Sequence, residues 1–133
     1  MTYEERGLLI DLRQSLLHLH KSLLDWERTS YERLHGRVSS HQLLQALFTD
    51  PQFAWLRPFS ELIVHIDETL EQKPKDAPLP DVQAIVDRAR TLVAPDPARD
   101  PHAARYQEAL QANPDSVLAH RAVTVALKPR RPH

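Results

Sequence analysis

The sequence predicts an all-α protein: a helical bundle with one long N-terminal helix, two to three further core helices and a proline-punctuated C-terminal helical region. Three observations carry this. Apolar residues recur at spacings of three, four and seven and show no sustained alternation, which is the period of helices and not of strands. Eleven prolines stand against two glycines, and most prolines fall between the periodic segments, where they begin or end helices. Ser, Asp or Asn precedes several of those segments, in the position of an N-cap.

Residues 3 to 35 read as one helix. Leu9, Leu12, Leu16, Leu19, Leu23 and Trp26 follow in steps of three and four, while Ile10, Leu17, Leu24 and Tyr31 form a parallel row seven apart. Gly36 is placed to end it in the left-handed helical region. A second helix starts after Ser39 or Ser40 and carries Leu43, Leu44, Leu47 and Phe48. Asp50-Pro51 restarts the helix, with aspartate as cap and proline at the first helical position. Pro58 is expected to end or bend that short apolar turn. A further helix runs from about Pro58 to Gln72, with Phe59, Leu62, Ile63, Ile66 and Leu70 on one face. Residues 73 to 80 make a proline-rich connector.

Asp81 caps the next amphipathic helix, whose stripe is Val82, Ile85, Val86, Ala89, Leu92 and Val93. After a second stiff connector, Ala94 to Pro101, two short helices flank Asn113-Pro114-Asp115. The last of them carries Val117, Leu118, Val123, Val125 and Leu127 almost all the way round. Such a helix must be buried, either within the bundle or against a partner. The whole chain reads as one helical domain, residues 1–72 forming the core and 73–133 the helices joined by proline-rich connectors.

Composition excludes several function classes. The formal net charge of -1 gives no global field for nucleic acid or an anionic membrane. The basic end, Lys128-Pro-Arg130-Arg131, is too short for a nucleic-acid footprint. No apolar run approaches the roughly 20 residues of a membrane span, and the first residues lack the pattern of a signal peptide. The absence of cysteine removes disulfides, thiolate metal sites and a cysteine nucleophile, and fits a cytoplasmic setting. With two distant glycines there is no phosphate-cradling loop. No nucleophile elbow is present, so no catalytic residue is assigned.

What remains is a polar row on the first helix. Its apolar arc spans about 200°, and Arg13, His20 and Glu27, seven apart, lie inside it with Tyr31 beside them. Unpartnered burial of such groups is costly. Either they satisfy one another around a small ligand, with His65 converging, or the arc is two apolar seams with a solvated furrow between them. His20 is also the best-placed haem ligand. Glu32-x-x-His35 has the i,i+3 spacing of di-iron bundles, and Glu61 with His65 adds ligand types on another helix. The di-iron pattern needs two such pairs and further glutamates, so a divalent metal stays a minor alternative. The reading without any cofactor is preferred.

The block Asp50-Pro-Gln-Phe-Ala-Trp-Leu-Arg-Pro-Phe-Ser-Glu-Leu-Ile-Val-His-Ile-Asp-Glu68 resembles one found in small, all-helical bacterial proteins of unassigned function. Trp26-Glu-Arg-Thr-Ser-Tyr-Glu-Arg-Leu-His-Gly-Arg-Val38 belongs with it. The resemblance covers roughly the first 70 residues. It implies a bacterial, cytosolic origin and brings no activity. The resulting expectation is a non-enzymatic helical bundle acting through helix–helix association, as a homo-oligomer or with another helical protein.

Overall fold

The computed structural model describes residues 1–72 and 80–129. Most of the connector expected over 73–80 and the basic residues 130–133 lie outside them. Among the described residues the ordered elements are helices, and no strand occurs.

Helix α1 spans Tyr3–His35, roughly 50 Å at 1.5 Å per residue. A reciprocal capping box starts it: the Thr2 hydroxyl accepts from the Glu5 N–H at 3.0 Å, and the Thr2 N–H donates to the Glu5 carboxylate at 2.9 Å. Gly36 ends it, donating its N–H to the Glu32 carbonyl at 2.8 Å. Its φ of 78° is positive as expected, but ψ is 175°. The chain therefore leaves the helix extended instead of curling back in the left-handed helical conformation.

Helix α2, Ser40–Thr49, has Ser39 as its cap, again in a capping box, with Gln42. The restart at Asp50-Pro51 is a 3-10 helix over Pro51–Leu56, which runs straight into α3, Arg57–Glu71. The turn thus ends at Leu56, two residues before Pro58. Pro58 sits in the first turn of α3, where no N–H is required of it. Asp81 caps α4, Val82–Val93, and Asn113 caps α6, Pro114–Ala126, directly after α5, Ala103–Ala112.

The long helix is the axis of the packing. It contacts α6 most extensively and α3 next, while α4 touches both α3 and α6. The two seams lie on opposite sides of one buried stripe: Leu9, Leu12, Leu16, Leu19 and Leu23 are all fully buried. Each such leucine contributes roughly 1.5–3 kcal/mol by leaving water. One apolar cluster runs from these leucines through Phe53, Leu62 and Ile66 to Ile85, Tyr106 and Val123. Helices α1 and α6 run antiparallel, since Ser22 meets Ser116 near the start of α6 while Asp11 borders the groove beside Val125 near its end.

One expectation needs correction within the chain. Helix α6 is covered by its own chain on one side only, and its open side mixes apolar residues with Asp115 and Arg121. Ser116, Val123 and Leu127 are buried, whereas Val117, Leu118 and Val125 are 45%, 68% and 53% exposed.

Candidate functional site

The polar row of α1 does not gather on one centre. Seven residues of helix are about 10 Å, so Arg13 and Glu27 stand about 20 Å apart and each finds its own partner. Arg13 reaches across the seam to the Asp67 carboxylate of α3, both side chains being more than a third exposed. His20 lies largely buried between them and makes no hydrogen bond among the described residues, so burial alone lowers its pKa below the ordinary histidine value.

Glu27 is different. It is 1% exposed, on a helix face that otherwise buries leucine. Its carboxylate accepts from the Trp55 indole N–H at 3.0 Å and from the Arg105 Nε–H at 3.1 Å, both on Oε1. An Arg105 Nη2–H closes the fork on Oε2. The guanidinium also lies over the Trp26 ring, 4.2 Å from its centroid, and Trp26 meets Trp55 edge-to-face at 6.3 Å and 86°. Three elements thus converge. Helix α1 supplies adjacent Trp26 and Glu27, the 3-10 helix supplies Trp55, and α5 supplies Arg105. The bonds to Glu27 raise the Arg105 pKa above the usual arginine value, against the opposing effect of burial. A two-pronged guanidinium–carboxylate contact in a dry site is among the stronger polar contacts a protein makes.

The other candidate residues are placed separately. Tyr31 stacks on His35 at 4.3 Å and against Phe53 at 5.2 Å. Glu32 accepts from the Val38 N–H at 2.9 Å and pairs with Arg28 at 3.5 Å, so it secures the turn after α1. Glu61 is exposed and faces Arg88 at 3.6 Å, and His65 is exposed on the same helix. Among the described residues no three His, Asp or Glu side chains are grouped so as to hold a metal ion, and no helix is long and apolar enough to cross a membrane.

Two further polar contacts were not foreseen from the sequence. Tyr106, 2% exposed, approaches His120 Nδ1 at 2.6 Å and stacks on Phe59 at 5.8 Å. Burial pushes the phenol pKa up and the imidazole pKa down. A protonated phenol and a neutral ring can share this hydrogen bond in either direction, according to which ring nitrogen carries the proton. Between α1 and α6, the Ser116 hydroxyl lies 3.1 Å from Ser22 Oγ and accepts from Asn113 Nδ2 at 3.1 Å.

The two lowered histidines give a pH dependence of known sign. Below about pH 6.5 the unfolded chain binds protons at positions 20 and 120 that the folded chain resists. Stability therefore rises with pH across that window and falls as pH drops through it. Urea midpoints are expected to be lower at pH 5.5 than at 7.5, and His20→Gln and His120→Gln should each flatten the difference. A midpoint that is level or rises on acidification would refute this assignment.

No family model matches the chain, and no curated protein or solved structure matches it either.

Proposed function

We propose that this chain is a non-enzymatic helix-association module whose partner is a second copy of itself. The observation that carries the reading is the outer face of α6. Leu118 and Val125, seven residues apart, are 68% and 53% exposed on the outer face of α6, with Asp115 and Arg121 in water beside them. A second helix laid on that stripe removes it from water. Helix α1 covers one side.

The exposed stripe borders a groove of about 430 Å³ between α1 and α6, where Ala119 and Ala122 are the small side chains that let another helix come close. The same stripe on two copies can meet about a two-fold axis, the commonest arrangement of identical chains. Ile10 and Leu17, 41% and 37% exposed on α1, add apolar surface to the molecule. The absence of cysteine supports a reducing, cytoplasmic setting for this association.

Light scattering at micromolar concentration tests it. The expected mass is twice that of the chain, and Leu118→Glu should return it to that of one chain, weakening association at least tenfold. A position so exposed tolerates the change without unfolding. A wild-type protein of single-chain mass throughout the micromolar range would overturn the reading.

A further inference from the structure

The cluster around Glu27 has the composition of a cation receptor. An aromatic face, a second aromatic wall set nearly perpendicular to it and a buried carboxylate together bind a flat, delocalised cation better than water does. In this chain the cation is present, and it comes from the chain itself. Arg105 donates to both oxygens of Glu27 while lying over Trp26, and the Trp55 N–H fixes the carboxylate from a third direction. Everything except the guanidinium belongs to the front of the sequence. Only the guanidinium belongs to α5.

Helix α5 has ten residues and buries Ala103, Tyr106 and Ala109, with Tyr106 held by His120 of α6 and Phe59 of α3. Pro95, Pro97 and Pro101 precede it, and Asn113-Pro114 follows it directly, so both ends are marked by residues that break helices. Its arginine also carries its own counter-ion. Arg105 Nη1 donates to Glu108 of the same helix at 2.7 Å, on the solvent side. When α5 moves outward, Arg105 keeps a carboxylate partner in water, while Glu27 is left needing a cation. A groove of about 290 Å³, bordered by Trp26, Thr29, Arg33 and Asn113, adjoins the cluster at Trp26.

We propose that Trp26, Glu27 and Trp55 form a recognition pocket for a guanidinium group, filled in cis by Arg105 and taken by an arginine of a partner polypeptide when α5 lifts away. Lysine is a poor substitute, because an ammonium cannot make two parallel N–H bonds to one carboxylate while lying flat on an indole. This goes beyond the α6 face, uses none of its residues, and stands or falls separately from it.

The test uses the full chain with Arg105→Ala and ethylguanidinium as the probe, read by tryptophan fluorescence and by thermal midpoint. Saturable binding at millimolar concentration is expected, with a rise in midpoint and affinity about tenfold above that of ethylammonium. It should be lost in the Glu27→Gln/Arg105→Ala double variant. Wild type should respond more weakly at the same concentrations, since the tethered arginine already occupies the pocket and competes with the probe. If Arg105→Ala does not fold in plain buffer, Arg105→Gln serves in its place, and recovery of the helical signal on adding ethylguanidinium counts as binding. Equal response to ethylammonium, response that survives Glu27→Gln, or no response in either variant would overturn the pocket. Hydrogen exchange on wild type tests access: α5 amides should exchange at least tenfold faster than those at the centre of α1. Exchange of α5 only together with α1 would overturn occupation by a partner.

Discussion

Replacing Glu27 by alanine is expected to lower stability by about 3 kcal/mol, near the lower end of what removing one partner of a buried ion pair costs. The side chain is 1% exposed, and its carboxylate is the acceptor for the Trp55 N–H and for two donors of Arg105. After truncation the Trp55 indole, 4% exposed, loses its hydrogen-bond partner and a cavity opens beside Leu23. An unsatisfied buried donor costs roughly 1–3 kcal/mol by itself. The effect stays near 3 and not 5 because Arg105 is 30% exposed and can turn to water and Glu108. Chemical denaturation followed by circular dichroism reads the change. A loss below about 1 kcal/mol would mean that the carboxylate is solvated in the folded state.

Ser116→Leu is expected to cost about 2–3 kcal/mol by overpacking. Ser116 is fully buried between α1 and α6, with its hydroxyl between Ser22 Oγ and Asn113 Nδ2. A leucine there must separate the two helices or abandon its rotamer, and it removes the acceptor of Asn113 as well. Ser116→Ala, which removes the hydroxyl without adding volume, should cost only about 1 kcal/mol. The contrast between the two separates close approach from hydrogen bonding. A leucine variant within 0.5 kcal/mol of wild type, the usual range for a surface change, would show that the helices are not in close contact at this point.

Most of the helical architecture was legible because its signals are local. The first helix came from a long run of apolar spacing ended by Gly36, and the last pair from Asn113-Pro114. The short turn at Pro51 was less legible, since three apolar residues in six fit a 3-10 helix as well as an α-helix. On the wheel Glu27 is one of three polar residues inside the apolar arc, with Arg13 and His20, and nothing local sets it apart from the other two. Its partner was not legible: Arg105 lies 78 residues away on a short helix, where nothing local marks one arginine above Arg99 or Arg121. Trp55 left a weak signal, since a buried indole N–H needs an acceptor, but not the identity of that acceptor. The spacing that grouped Arg13, His20 and Glu27 was real on the helix surface. It misled because each residue looks toward a different neighbour, Arg13 toward α3 and Glu27 toward α5.

The exposure of α6 shows the same division. Sequence identified the apolar residues of the helix, and the structure identified which side its own chain leaves open.

The stability account and the pocket share one claim, that Glu27 and Arg105 act as a unit joining the proline-rich back of the chain to its front. A double-mutant cycle on Glu27→Ala and Arg105→Ala, measured by urea denaturation, tests this most directly. The account predicts a coupling of about 2 kcal/mol or more, the double variant being little less stable than either single one. Losses that add to within about 0.5 kcal/mol, the behaviour of independent sites, would contradict it.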